Sequence, residues 1–330
     1  MPLITRFIAS QLSTLPQLPK VDLSGRVYIV TGANCGIGLE IVRHLVPFRP
    51  GKIILACRNF QAGEQARAEI LRQAPDVDIE VWKVDLASFA SVKAFAKRCH
   101  TSLGRLDGVA MNAGMMGAAY QVTEDGHEIV TQVNALSPIY LALLLVPLLR
   151  KTLQQDISAK KPLPNPYIPR IIFTASRIAE NSPTKFFDPE HPLAQLDSKE
   201  GYRKGTRYDE SKLVEHSLVR HLIGVVPDLV ITSTCPGFVD TPLYRDGGPA
   251  ALAARAIGRS SEVGARSISH AILLLYKSVN YYADCKPYRL RIDWMNRKEG
   301  KKFGINFWKE SLAVFEQSSP GLLAAAGLTS

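Results

Sequence analysis

The stretch that most limits what this chain can fold into is Thr31-Gly32-Ala33-Asn34-Cys35-Gly36-Ile37-Gly38. It follows the apolar run Arg26-Val27-Tyr28-Ile29-Val30 and opens a helix predicted from Ile37 to Val46, ahead of Pro47. A strand that breaks at glycines just before a helix is the context a phosphate-binding turn requires. Glycines let a pyrophosphate approach the main chain closely, and a helix N-terminus offers free N–H groups and a positive dipole end. The spacing Gly32, Gly36, Gly38 is looser than GxGxxG. Taken alone, it would equally serve a tight strand–helix connection.

The rest of the chain continues the rhythm. Strands are predicted at Lys52–Ala56, Ile79–Val84, Leu106–Met111, Arg170–Ala175 and Leu229–Thr234, with a last edge strand at Tyr288–Ile292. Helices fall between them at Gln61–Ala74, stopped by Pro75, and at Ser88–Leu103 with Ser88 as N-cap. Others run from Thr123 or Glu124 towards Leu149, over Tyr208–Leu222 and over Glu262–Lys277. Such alternation implies right-handed βαβ units and a parallel sheet covered on both faces, an α/β doubly wound fold. Ile139–Leu149 is apolar all round, as a helix buried against a sheet would be. Residues 1–22 form an N-terminal arm, 23–292 the main domain, and 293–330 an extension without clear period that ends in a loose tail. Two proline-bearing insertions, 151–169 and 180–205, interrupt the domain.

Composition excludes several classes. A net charge of +10 suits an anionic cofactor or a weakly attractive membrane surface. The Lys and Arg are scattered rather than striped, which argues against nucleic acid. Cys35, Cys57, Cys99, Cys235 and Cys285 are odd in number and widely spaced, giving neither a disulfide framework nor a metal site. A cytoplasmic setting is the simplest one consistent with them. Leu3, Ile4, Phe7, Ile8 and Leu12 make an apolar patch interrupted by Arg6 and Gln11. It is too short to span a bilayer and reads as an arm packed on the domain or as a weak membrane-surface contact.

Tyr208 and Lys212 stand four apart in a helix, so they share one face. A phenol of ordinary pKa, about 10, is too weakly acidic to shuttle protons at neutral pH, and a nearby ammonium lowers it. Such a pair can pass a proton to or from an alcohol oxygen. Five-residue YxxxK patterns are common, so position decides their meaning. This one follows the fifth strand.

Together these elements resemble the classical short-chain dehydrogenase/reductase family over about Leu23 to Ile292. The TGxxxGIG turn stands at Thr31–Gly38, the NAG element at Asn112-Ala113-Gly114, and the PG motif at Pro236-Gly237-Phe238-Val239 with Thr241. The resemblance implies a Rossmann-type sheet of about seven strands in the order 3-2-1-4-5-6-7. It also implies a catalytic set of Asn134, Ser176, Tyr208 and Lys212. Tyr208 is then the general acid/base, and Lys212 lowers its pKa and holds the nicotinamide ribose. Ser176 bonds the substrate oxygen, and Asn134 holds a water of the proton relay. The cofactor residues carried over are Gly32, Asn34, Cys35, Gly36, Ile37 and Gly38 of the turn, then Asp85, Leu86, Asn112, Ala113 and Gly114. Tyr208, Lys212, Pro236, Gly237, Val239 and Thr241 complete them. Family members often dimerise through the helices of Asn134 and Tyr208; extended ones depart from this.

The cofactor variant has a more direct argument. An NAD enzyme needs a carboxylate at the end of the second strand, where this chain has Ala56-Cys57-Arg58-Asn59. A guanidinium suits the 2′-phosphate of NADP(H). Arg58 is its expected reader.

The 32 residues from Ser176 to Tyr208 exceed those of compact members and resemble the retinol-dehydrogenase-like branch. The insertions and the C-terminal extension are expected to roof the substrate pocket, with Phe186, Phe187, Tyr202, Tyr244, Trp294 and Phe303 as an apolar lining. The expected activity is NADPH-dependent interconversion of a ketone or aldehyde and an alcohol on a fairly large apolar small molecule, in secondary-metabolite biosynthesis. A retinol- or steroid-type dehydrogenase and a non-catalytic NADPH-binding protein are the alternatives.

Overall fold

The first strand, β1 (Val27–Thr31), is buried at every position. The strands β2 (Lys52–Cys57), β3 (Ile79–Lys83), β4 (Gly108–Met111), β5 (Arg170–Thr174) and β6 (Val230–Cys235) are almost as apolar. Strands buried on both faces must be covered by helices. The computed structural model, which describes residues 8–117, 119–159, 167–244, 248–274 and 277–328, arranges them in the order β3-β2-β1-β4-β5-β6. All these pairings are parallel.

The sheet has eight strands, not seven. Parallel β7 (Val279–Ala283) and a two-residue antiparallel β8 (Lys286–Pro287) close the edge. The predicted Tyr288–Ile292 strand is not formed. No apolar run marks the Val279–Ala283 segment VNYYA as a strand, although Tyr281 and Tyr282 are buried.

Helices α1 (Gly36–Leu45), α2 (Phe60–Gln73) and α8 (Ser261–Leu274) cover one face. Helices α3 (Phe89–Ser102), α4 (Ile129–Ser158) and α6 (Arg207–Val225) cover the other. Ser88 caps α3 as expected, its hydroxyl accepting from Ser91 N at 3.3 Å. Helix α4 starts later than predicted, at Ile129, where Glu128 caps it, accepting from Val130 N and Thr131 N. It also runs nine residues beyond Leu149, so the first part of the 151–169 insertion is helix; 160–166 lie outside the described residues. Its composition would pass for a membrane span, but 89% of that window is buried inside the protein. Short α5 (Pro192–Asp197) lies within the second insertion, and α7 (Pro249–Ile257) follows β6.

The C-terminal residues fold rather than trail. Helix α9 (Lys298–Ser318) and the short α10 (Leu322–Ala325) bury Phe303, Phe307, Phe315 and Leu322. Trp308 stacks on His221 of α6, and Phe315 stacks on Tyr140 of α4. Parts of the α4 and α6 surfaces are thus covered by the C-terminal helices. In the N-terminal arm, Leu15 is buried while Ile8 and Leu12 are exposed; Leu3, Ile4 and Phe7 lie outside the described residues.

Candidate active site

Strand order reverses between β1 and β4, and in such sheets a crevice opens beyond the strands' C-terminal ends at that point. A cleft of about 770 Å³ lies there. Thr31 ties its floor together: its hydroxyl accepts from Asn112 N at 2.8 Å and Ala113 N at 3.0 Å. Asn112 Nδ2 donates to Thr31 O at 3.0 Å. Gly32 and Gly36 have φ of +66° and +56°, which side-chain-bearing residues rarely adopt. Gly38 has another role. A Cβ there would lie 2.3 Å from Gly32 O and 2.6 Å from Asn112 Nδ2, so the glycine lets α1 close onto the turn. Gly38→Ala is therefore expected to loosen the turn, lowering the melting temperature and weakening dinucleotide binding together; unchanged values of both would refute this.

Helix α1 begins with no side-chain cap and no acidic residue in its first turn. Its N-terminal N–H groups and dipole are therefore left for an external anion. Arg58 stands exposed at the same end of the cleft and has no ion-pair partner among the described residues. Asp85 lines the cleft beside Leu86, its carboxylate accepting from Ala87 N at 2.9 Å.

At the other end, Ser176, Tyr208 and Lys212 share the cleft wall with Gly114, Pro236 and Gly237. Ser176 Oγ accepts from Ile178 N at a long 3.3 Å, capping a short 3-10 turn and leaving its O–H free to donate. Tyr208 is half-buried, and its hydroxyl has no hydrogen-bond partner among the described residues. The expected lowering of its pKa by Lys212 is not found: burial raises it above the ordinary phenol value, with smaller contributions from Tyr244 and Glu215. Lys212 is almost fully buried and donates to Thr174 O at 2.8 Å and to Glu215 Oε2 at 2.9 Å.

Asn134 is not among the residues that line the cleft. It is fully buried in a π turn of α4 (Gln132–Leu136), accepting from Met115 N and donating to Met115 O and Ser211 Oγ. The amide thereby fastens the Asn112–Gly114 loop to the Tyr208 helix. Among the other site residues drawn from the sequence, Asn34, Cys35, Ile37, Ala113, Val239 and Thr241 all reach the cleft.

Some positions that shape the site were not legible beforehand. Arg259 Nη1 donates to Pro236 O at 3.0 Å and its guanidinium lies against Gly237, fixing the loop after β6. Gln11 of the arm exchanges bonds with Phe238, to its O at 2.6 Å and from its N at 3.2 Å. Both contacts join residues more than 20 apart, so no local pattern announces them.

The expected aromatic lining is only partly present. Of its six members Tyr244 alone lines the cleft. Phe187 stacks on Phe303 in the core with centroids 4.8 Å apart, and partly buried Trp294 meets both rings edge-on. Phe186 is exposed beneath Lys185 and Arg203, and Tyr202 packs edge-on against Tyr120. Ring area maximises burial in the core as readily as in a pocket, so aromatic residues alone could not separate the two. The walls are instead Phe238, Tyr244 and Tyr288 mixed with Arg177, Glu180 and Asp209. Burial pushes the Asp209 carboxyl up to about 7, with Glu210 adding to it. No described residue of the C-terminal extension lines the cleft; it packs behind α6 rather than over the opening.

Comparison with known proteins agrees with this architecture. The short chain dehydrogenase family model matches residues 26–157. The short chain dehydrogenase sol3 of Alternaria solani is 37% identical over 242 residues, covering 72% of this chain and 81% of its own length. The short chain dehydrogenase/reductase mfmJ of Annulohypoxylon moriforme is 31% identical over 326 residues, covering 94% and 91%. Among solved structures, the Pseudomonas aeruginosa RhlG/NADP active-site complex superposes with a TM-score of 0.56 at 25% identity, covering 77% of this chain and 92% of that one. A glycine turn at one end of the crevice, a tyrosine–lysine pair at the other, and relatives alike over nearly the whole chain lead to one assignment: this chain belongs to the short-chain dehydrogenase/reductase family of oxidoreductases.

Proposed function

We propose that the protein is an NADPH-dependent reductase that interconverts a ketone or aldehyde and the corresponding alcohol on a fairly large small-molecule substrate. The observation that carries this reading is the convergence of Ser176, Tyr208 and Lys212 on one end of the cleft whose other end is the glycine turn. The residues fit a dinucleotide: the turn leaves N–H groups for a pyrophosphate, and Arg58, exposed and without an ion-pair partner among the described residues, is a cation that would read a 2′-phosphate. The Pseudomonas aeruginosa neighbour, a complex with NADP, supports the same choice. When bound, the cofactor supplies the hydride.

The chain's own residues do the rest. Ser176 and Tyr208 donate hydrogen bonds to the carbonyl oxygen, polarising it and fixing its position. Tyr208 gives its proton as negative charge develops there. Lys212, with an N–H left beyond its bonds to Thr174 and Glu215, would hold the nicotinamide ribose, and Asn134 keeps the Asn112–Gly114 loop in register with α6. The raised phenol pKa leaves Tyr208 in its protonated, donor form through neutral pH. Flat rings beside Arg177, Glu180 and Asp209 suit a substrate that carries polar groups on an apolar frame, the kind of molecule met in secondary-metabolite biosynthesis.

The test is a fluorescence titration of NADPH and NADH on wild type and Arg58→Ala, followed by NADPH oxidation over a carbonyl panel. Loss of a charge-assisted contact costs about 1.5 kcal/mol or more, so NADPH should bind Arg58→Ala at least about tenfold more weakly. NADH should hardly change. Equal binding of both cofactors to both proteins would refute the NADP assignment, and binding without turnover across the panel would refute the enzymatic reading.

A further inference from the structure

We propose that Glu215 is a positioning residue of this site: its buried carboxylate holds the Lys212 ammonium so that one N–H remains for the cleft, and it offsets that ammonium's charge beside Tyr208. The proposal rests on the roles assigned above to Tyr208 and Lys212.

Positions 208, 212 and 215 are spaced i, i+4, i+7 and stack on one face of α6. Glu215 is 1% exposed and Lys212 4%. An ammonium carries three N–H donors. One goes to Thr174 O at 2.8 Å and a second to Glu215 Oε2 at 2.9 Å. The third has no partner among the described residues, and Lys212 lines the cleft. A lysine stem is flexible and its ammonium is a point charge without a fixed fork. Two buried anchors on different elements, β5 and α6, remove that freedom.

The groups around the pair leave it electrically isolated. His216, next on the helix, is driven by burial down to about 3 and is neutral at physiological pH. Tyr281 of β7 is pushed well above the ordinary phenol range by burial, with Cys235 of β6 beside it, while Arg177 partly opposes that shift. Tyr208 and Asp209 lie towards the cleft with Tyr244. Burial lifts the Glu215 carboxyl to about 7, and Lys212 pulls it back. Ionised, Glu215 makes the Lys212 pair nearly neutral, so the ammonium does not stabilise a Tyr208 phenolate by its full charge. Glu215 instead adds to the groups that keep the phenol protonated. A buried ion pair is weak evidence of a gain in stability; its value here is geometry and the field at Tyr208.

The experiment compares wild type, Glu215→Gln, Glu215→Asp and Tyr208→Phe in NADPH-dependent reduction of the best ketone of the panel. It records kcat/KM from neutral to alkaline pH, the NADPH dissociation constant and the melting temperature. In Glu215→Gln the unbalanced ammonium should lower the Tyr208 pKa, moving the high-pH fall in activity about one unit towards neutral. NADPH affinity should weaken severalfold as Lys212 loses an anchor. Glu215→Asp, which restores the charge, should return the limb most of the way. A limb that stays put in a folded Glu215→Gln, with Tyr208→Phe inactive, overturns the positioning role alone. An active Tyr208→Phe overturns the reading beneath it. Failure of both Glu215 variants to fold assigns the residue to stability and overturns the proposal too.

Discussion

Tyr208→Phe is expected to reduce kcat by roughly 10²–10⁴-fold, the usual contribution of a positioned proton donor, while the NADPH dissociation constant stays within about twofold. The substitution removes one oxygen and keeps the ring. Since the hydroxyl has no protein partner among the described residues, its loss strands no buried donor or acceptor, and that is the usual source of instability in such a change. The variant should therefore unfold at nearly the wild-type temperature. Steady-state kinetics with NADPH, checked by a cofactor titration, decide the matter. Undiminished turnover would remove Tyr208 from the chemistry. A parallel loss of NADPH binding would mean that the phenol holds cofactor rather than moves a proton. The pH dependence carries a sign as well. Burial raises the phenol's pKa, so the donor form persists from acidic pH through neutrality, and reduction declines only as pH climbs through the raised value. The reverse reaction, which needs the phenolate, should accelerate over that same alkaline range.

How much of this could be read in advance follows from the range of the interactions. The glycine turn was legible because the backbone angles at Gly32 and Gly36 and the close contact at Gly38 each demand glycine locally. The parallel core was legible because strands buried on both faces are apolar throughout, as β1 and β2 are. Tyr208 and Lys212 were legible through helical spacing. Glu215, one turn further on, was not, since a glutamate in a helix ordinarily faces water; only the packing of α6 against β6 and β7 buries it. Edge strand β7 was hidden by its mixed composition, and the pocket walls by the equal fitness of aromatic rings for core and cleft. Asn134 shows the converse. Its position was legible, but its amide is spent on Met115 and Ser211, and a sequence cannot show where an amide's bonds go.

The largest expected loss of stability comes from Phe303→Ala, a residue in the stretch that carried no recognised period. The apolar positions Phe303, Phe307, Trp308 and Phe315 do recur at helical spacing. Gly300, Gly304 and Ser311 on the same face obscure it, small because α9 sits close to its neighbours: a Cβ on Gly304 would lie 3.1 Å from Ser217 Oγ. Phe303 is 0% exposed and meets three rings: Phe187 at 4.8 Å, Trp294 at 5.4 Å and Phe307 at 5.8 Å between centroids. Truncating such a residue removes its transfer free energy and leaves a cavity that stacked rings cannot easily fill, at about 3–5 kcal/mol. Domains are stable by only about 5–15 kcal/mol, so this one helix contact is expected to carry about a fifth or more of the total. Urea unfolding should show a much lower midpoint at an unchanged slope. Ile305→Ala, on the same helix but 47% exposed, should shift the midpoint little. Because no described residue of α9 lines the cleft, the folded fraction of Phe303→Ala should turn over at the wild-type rate under stabilising conditions. A loss near that of Ile305→Ala would mean α9 is not bound to the domain as described. A loss of kcat in the folded protein would instead return the C-terminal extension to the substrate pocket, where sequence reasoning had placed it.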